Sequence, residues 1–463
     1  MPTYSLHPSI ALPLVMTHKH SSSPSPNKDS KKMSPTILFL LSFVPSLALP
    51  AQAGFILPIQ KDYKTLQYTT LIYLKTPLQQ TQVVFDLGGD ITWIDCYKNY
   101  KSSTYHLFPC NGSQFCDSLP NTGVSICTDC SDTPGIPCAN NTCGLFAENP
   151  VAYQGEVGVA LTDVLKLPTT NGSTQGPLSD IKNHVFSCAP SSVLPGLSKS
   201  VSGSLALGQS IWSLQTQISN SSSSYPNYFA VCLSGSRTSP GVAFLAASGP
   251  YIFLPGIDLS RSLTYTPIIS NVYGGPFISS VAVGREAEYF IGVTSININN
   301  KPVPLYKQFL AINGIGIGGT KISTVYNYTS LQRSIYTGFT ETFVNQSSAM
   351  NLALTKPVKP FSFCYGAKDV QVTPTGPKSK DVYWRIYGSN SMVRVTTKNA
   401  DVWCLGFLDG GVNQRQAIVI GGYQIEDNLL QFDLGSKRLG FSSSLLQKGT
   451  TCANFKFPKK PTA

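Results

Sequence analysis

A run of strand-forming apolar residues, Val83-Val84-Phe85, ends in an acid, Asp86, which is followed by Leu87 and two glycines, Gly88-Gly89. A carboxylate at the end of a buried strand can serve as a general acid or base if its surroundings move its pKa. It can equally brace its own loop by accepting backbone hydrogen bonds, and the bracing role is the one expected of Asp86. Other groups able to do chemistry are few. Of the five His, His7, His18 and His20 lie near the start, and His106 and His184 sit in no Ser- or Cys-hydrolase motif. His184 reads as a residue packed in a strand. Cys127-Thr-Asp-Cys130 is a CxxC, but no second pair or paired His follows at zinc-finger spacing. Gly314-Ile315-Gly316-Ile317-Gly318-Gly319 lacks the Lys-Ser/Thr of a phosphate-binding loop and reads as a turn. No metal and no cofactor is expected.

The elements that must carry these residues are mostly strands. Charged residues are only 12% of the 463, while Gly (38) and Pro (33) are frequent, which favours short strands and turns. Strand patterns run through residues 55–59, 67–74, 82–86, 156–167, 181–188, 289–296, 416–423 and 429–442. A helix is expected around residues 210–218. A second is expected over 329–352, where Leu331, Ile335, Phe339 and Phe343 repeat every four residues as a core-facing stripe. The halves share a loose two-fold pattern, each with an apolar strand leading to a small polar residue and a turn, and later a strand ending in Gly.

The compartment is legible from other features. From Met33, an apolar stretch over about 37–49 ends in Ala51-Gln52-Ala53, the pattern of a signal peptide cleaved after Ala53. Residues 1–32 are polar and Ser/Pro-rich, so Met33 is the expected start, the alternative being an unusually long n-region. The stretch is short for a membrane span, and no membrane association is expected. Seven of the 12 Cys fall between Cys96 and Cys143, a density that suits disulfides in an oxidising compartment. Six Asn-x-Ser/Thr sequons, at Asn111, Asn140, Asn171, Asn220, Asn327 and Asn345, are candidate glycan sites on a secreted chain. The net charge is +11, and four Lys and one Asp lie before residue 54, leaving about +8 beyond it. With no run of five Lys/Arg and no nucleic-acid signature, a nucleic-acid partner is not expected.

Phe85-Asp86-Leu87-Gly88-Gly89 followed by Ile91-Thr92-Trp93-Ile94 resembles the first catalytic loop of pepsin-like aspartic proteases. The stretch from Val419-Ile420-Gly421-Gly422 through Gln431-Phe432-Asp433-Leu434 to Arg438-Leu439-Gly440-Phe441 resembles the end of the same fold. The likeness covers about residues 55–455. Within it the chain is most similar to the plant group of extracellular dermal glycoprotein, basic 7S globulin, and the inhibitors of xylanase and xyloglucan-specific endoglucanase. The resemblance implies an all-β, bilobal pepsin-like fold with a central cleft. Residues 1–53 would be extension and signal peptide. Residues 54–260 would form the N-terminal lobe, with a Cys-rich insertion at 96–143, and 261–463 the C-terminal lobe. By the same analogy Cys364–Cys404, Cys232–Cys452 and Cys96–Cys188 pair, and the other six Cys pair within the insertion.

Aspartic proteolysis needs two carboxylates sharing one proton, one from each lobe. At the matching second position the chain reads Gly319-Thr320-Lys321-Ile322-Ser323-Thr324-Val325, so Ser323 replaces the carboxylate. A serine cannot act as the general base near neutral pH. Leu87 and Gly89 stand where hydroxyl residues normally brace the pair, and Tyr153-Gln154-Gly155-Glu156 makes a weak flap. The expectation is a protein without peptidase activity. The resemblance implies instead a secreted inhibitor of microbial cell-wall-degrading glycoside hydrolases, in plant defence, acting in the apoplast. The alternatives are a non-inhibitory binding or storage globulin and a residual protease. Inhibitory relatives present Arg from loops of the C-terminal lobe, matched here by Arg415, with Lys356 in the place of a second cation. Xylanase-inhibiting relatives use a His. This chain has none after His184 and carries Tyr423 where many relatives have it, so an endoglucanase is expected ahead of a xylanase.

Overall fold

The computed structural model describes residues 54–97, 100–110, 116, 127–128, 139–271, 287–372 and 384–458, together with an upstream strand, Ser9–Leu14. That strand lies antiparallel to Trp384–Tyr387. The expected signal peptide, the sequon at Asn111 and much of the Cys-rich insertion lie outside the described residues. Among the described residues no helix is long and apolar enough to cross a membrane.

Apolar alternation builds a meander of Gly54–Lys61, Tyr68–Leu74 and Gln79–Asp86. The third strand also runs parallel to Gly203–Ala206, with Ala206 opposite Asp86. The second half repeats the device. Tyr289–Ile291 pairs with Thr320–Ile322, which runs parallel to Ile418–Ile420, with Ile322 opposite Ile420. Each half thus ends a buried strand beside a parallel neighbour and delivers one loop, that of Asp86 or that of Ser323, to the same cleft.

A continuous antiparallel sheet ties the halves together. Its order is Gly54–Lys61, Gly241–Leu245, Tyr228–Cys232, Asn428–Asp433, Arg438–Ser444 and Thr264–Ile269. Strands from the two ends of the chain therefore share one ladder. Phe229 and Phe432 stack at 4.5 Å between centroids, and Tyr289 packs on Phe432 at 4.5 Å. Each fully buried ring of this kind stabilises by roughly 1.5–3 kcal/mol. The boundary expected near residue 260 falls at a short turn, Leu259–Ser262, where Asp258 accepts from Ser260 N.

Several elements differ from the sequence reading: the strands expected at 289–296 and 416–423 are only Tyr289–Ile291 and Ile418–Ile420, the second followed by a helical turn, Gly422–Ile425, and the run at 156–167 is divided between Gln154–Thr162 and Leu165–Thr170. The first helix is Leu214–Ser221, shifted toward the C-terminus because Ser213 caps it by accepting from Thr216 N. The second is Arg333–Ala349, capped by the Gln332 side chain. Leu331 belongs instead to a strand, Thr329–Leu331, although Ile335, Phe339 and Phe343 are buried along the helix as expected. The run expected at 181–188 is broken at Asn183, which has φ +55°, so the strand is Val185–Ala189.

Candidate functional site

Asp86 closes its strand with 6% of its surface exposed, and its Oδ1 accepts the Gly88 N–H at 2.8 Å. The residue braces its own loop. A Cβ on Gly89 would lie 3.0 Å from both Ala206 Cβ and Asp86 Oδ2, so this loop has little space for the hydroxyl residue it lacks. Leu87 is fully buried in the core. The cross-lobe brace is one-sided. Thr324 Oγ1 donates to Phe85 O at 2.7 Å and accepts from Leu87 N at 3.2 Å, and the Leu87 side chain offers nothing in return.

Ser323 follows the Thr320–Ile322 strand, and its own N–H donates to Ile420 O at 2.9 Å. Its Oγ accepts from Val325 N at 3.2 Å and Tyr326 N at 3.4 Å, so it caps its own turn. Lys321 lies two residues earlier, on the same face of the extended chain. Its Nζ sits 2.6 Å from Glu288 Oε1 and 5.4 Å from the centroid of the Tyr326 ring. Burial alone would push the ammonium down. Glu288, with help from Tyr326 and Asp86, more than offsets this and raises it. A lysine held protonated cannot take a proton from Ser323, so the pair does not form a serine–lysine catalytic unit.

A hairpin of Thr142–Asn149 and Gln154–Thr162 reaches over the cleft. Its tip is residues 150–153. Gln154, Gly155 and Glu156 already belong to the strand, so the flap turns earlier than expected. A Cβ on Gly155 would come within 2.5 Å of Ala147 O, and the flap strands approach closely there for that reason. Tyr153, at φ +52°, donates its hydroxyl to that of Tyr326, closing the flap onto the C-terminal half. Beneath lies a cleft of about 460 Å³ lined by Asp86, Glu148, Glu288, Lys321, Ser323 and Arg415, among others.

This architecture has clear counterparts. The xylanase inhibitor N-terminal family matches residues 68–246 and the xylanase inhibitor C-terminal family residues 288–443. The chain belongs to the xylanase-inhibitor family of aspartic-proteinase-like proteins. It is 43% identical over 416 residues to the probable aspartic proteinase GIP2 of Nicotiana benthamiana, covering 87% of this chain and 92% of that one. It is 35% identical over 409 residues to the basic 7S globulin of Glycine max, covering 86% and 90%. The crystal structure of edgp superposes with a TM-score of 0.80 at 42% identity, covering 89% of this chain and all of that one. These neighbours bear out the all-β pepsin-like fold.

In this member of the xylanase-inhibitor family, Arg415 is half-buried at the rim of the cleft. One guanidinium nitrogen donates to Ile315 O at 3.3 Å, and Arg415 O accepts from Gly318 N at 2.7 Å. The Gly-rich segment is therefore a turn that holds the rim, and Ile315 and Val412 beside it are 64% and 65% exposed. Lys356 is exposed just beyond the Leu354–Thr355 strand and does not line the cleft with Arg415. The cation that does neighbour the Arg415 loop is Arg333, which sequence reasoning missed. Its Nε is 2.8 Å from Asp409 Oδ2, and its N–H donates to Gly411 O. In the sequence it stood inside the expected helix, between the stripe residues Leu331 and Ile335, with nothing local to mark it.

Tyr423 is half-buried. Its hydroxyl donates to Met392 O at 2.6 Å, and its ring centroid lies 5.6 Å from Lys61 Nζ. Lys61 also faces the rings of Tyr63 and Tyr68 and pairs with Glu426 Oε1 at 2.7 Å, which joins the two ends of the chain. Burial raises Glu426, opposed by Lys61 and Tyr68.

Disulfides link Cys96–Cys188, Cys116–Cys143, Cys232–Cys452 and Cys364–Cys404. Cys110 is also disulfide-bonded, so the close sulfurs of Cys110, Cys116 and Cys143 offer no thiolate for a metal. Asn140, Asn171, Asn220 and Asn345 are exposed. Asn327 is half-buried, with its Nδ2 donating to Thr65 O at 3.3 Å, which a glycan on that nitrogen would disturb. His184 is buried against Phe186, with ring centroids 6.2 Å apart.

Proposed function

We propose that this protein is a secreted inhibitor of microbial cell-wall-degrading glycoside hydrolases without peptidase activity of its own. Ser323 at the end of Thr320–Ile322 carries the negative half of this reading. The loop that faces Asp86 supplies a self-capping hydroxyl where proton sharing needs a carboxylate. Glu288 does not restore the pair, because its Oε1 is committed to a protonated Lys321.

The positive half rests on the rim. Arg415, with exposed Ile315 and Val412 beside it and Arg333 reaching its loop from the start of a helix, combines an apolar contact with guanidinium groups. Glycoside hydrolases place two carboxylates across an open cleft, and a guanidinium can donate two parallel hydrogen bonds to one of them. A xyloglucan endoglucanase is favoured over a xylanase. The chain has no His after His184, and the Tyr423 hydroxyl is committed to Met392 O.

The test is a panel of fungal xyloglucan endoglucanases and xylanases assayed beside acid-pH peptide cleavage. Inhibition without cleavage is expected. Arg415→Ala should raise the inhibition constant at least about thirtyfold, the effect of truncating one partner of a desolvated charge pair. Peptide cleavage lost on Asp86→Ala would overturn the reading. A panel showing no inhibition would favour a non-inhibitory binding or storage globulin, a reading in keeping with relatives named gamma conglutin and basic 7S globulin.

A further inference from the structure

Two short strands of the second half, Gln371–Val372 and Trp384–Tyr387, follow one another in the chain but do not pair. Among the described residues each pairs with one strand only, the upstream Ser9–Leu14. That strand lies between them, parallel to the first and antiparallel to the second. Two arms with one guest between them stand two strand spacings apart, roughly 10 Å, too far to close on each other. The gap is one strand wide, and both of its edges are rows of backbone N–H and C=O groups.

The register fits the sequence of the guest. Pro13, opposite Arg385, has no N–H to give. The Arg385 N–H points the other way, to Ser443 Oγ at 3.2 Å, so this pair exchanges no bonds across the ladder. Alternation then puts the exchanged bonds at Leu12↔Ile386 and Leu14↔Trp384, where both guest residues carry an N–H. Ile10, Leu12 and Leu14 fall two apart, the sequence period of a strand with one apolar face. The receiving strand is fixed by the body of the protein. Trp384 is fully buried, stacks on Phe441 at 5.3 Å between centroids, and donates its Nε1–H to Asn428 Oδ1 at 3.2 Å. Tyr387 O accepts from Ser391 Oγ at 2.8 Å.

The guest stands upstream of the expected signal peptide, so cleavage after Ala53 would separate it from the lobe it completes. We propose that the slot between Gln371–Val372 and Trp384–Tyr387 is a strand-acceptor site, and that its occupant is this chain's own Ser9–Leu14, bound as a detachable strand. Recognition rests on ladder bonds to both arms and on a proline placed where the ladder asks for no donor. No residue of the two arms lines the cleft, so the site is independent of whether the rim inhibits a hydrolase.

The experiment uses the full chain with a specific protease site placed within residues 15–53 and cut after folding. Once the N-terminal fragment is washed away, a labelled peptide of residues 7–16 should bind the cut protein saturably, and the uncut chain, whose slot is filled, at least about tenfold more weakly. A peptide with Leu12 and Pro13 exchanged keeps the composition and puts proline at a hydrogen-bonded position. The cut protein should bind it at least about tenfold more weakly. In amide exchange, the Ile386 N–H should lose protection when the fragment leaves and regain it with the peptide, while the Arg385 N–H, held by Ser443, keeps its rate. The same exchange made in the uncut chain, Leu12→Pro with Pro13→Leu, should expose the Ile386 N–H in a protein that is otherwise folded, so the test does not depend on removing the fragment. Equal binding of the two peptides, no binding of the first at millimolar concentration, or Ile386 exchange unaltered by the double substitution overturns the proposal. A cut protein that dimerises and excludes the peptide would assign the edge to a second copy, and would equally overturn this occupant.

Discussion

At the scale of single residues, the difference between this cleft and a peptidase lies in several side chains at once. Ser323 lacks the carboxylate, Leu87 has become core, and Gly89 is hemmed in by Ala206 and Asp86 itself. Restoring one group should therefore not restore the chemistry. Ser323→Asp places a second acid in the cleft without the hydroxyl that would brace Asp86. We expect no acid-pH peptide cleavage from this variant, measured with a quenched fluorescent peptide. Cleavage that depends on both Asp86 and the new acid would show that Ser323 alone had silenced the site. The Asp86 loop stood out in the sequence because it ends an apolar run, Val83-Val84-Phe85, whereas Ser323 follows Thr320-Lys321-Ile322 and was placed only by its resemblance to the second loop of the fold. The Lys321–Glu288 pair was not legible. Lys321 alternates with Ile322 and so could be placed on the face of Ser323, but its partner comes from another strand, 33 residues away. Lys61 and Glu426 are 365 residues apart, and no local pattern announces such a contact.

At the scale of elements, period and composition revealed the strands and the core stripe of the longer helix, and caps set the ends. Leu331 fits the helical period, yet Gln332 caps the helix after it, and strand pairing with Phe407–Asp409 and Ile418–Ile420 claims the segment. A four-residue spacing cannot reveal that competition. Two strand-end loops are joined by one hydroxyl, that of Thr324. Thr324→Val removes its bonds to Phe85 O and Leu87 N and leaves both buried backbone groups short of a partner. A loss of roughly 2–4 kcal/mol is expected from the urea midpoint and slope. A change under about 0.5 kcal/mol would mean that the lobes are held by the shared sheet alone.

At the scale of the whole molecule, two buried titrating groups act on stability in opposite directions. Burial pushes His184 down from 6.5 to about 3, with Gln217 opposing. It binds fewer protons folded than unfolded, so its contribution is full above about 6.5 and is lost as pH falls toward 3. Asp427 is raised from 3.8 to about 6 by burial, with Glu426 adding and the Cys452 N–H opposing. Its contribution is full below 3.8 and is lost as pH rises through about 6. His184→Phe should flatten the acid-side fall in stability, and Asp427→Asn should remove a fall toward neutral pH. Urea midpoints at pH 4 and 7 for the three proteins test both signs, and unchanged differences between the two pH values would refute them.

The bond between Cys232 and Cys452 spans 220 positions of sequence. Its consequence is topological. A single backbone cut anywhere between those two cysteines divides the chain into two polypeptides that remain one covalent body. A nicked molecule of this kind would keep its mass in a non-reducing gel and separate only when a thiol is added. Because strands on either side of such a cut lie in the same antiparallel sheet, it would also keep its shape. Apparent length under reducing conditions is therefore a record of proteolytic history, and does not count the molecules present.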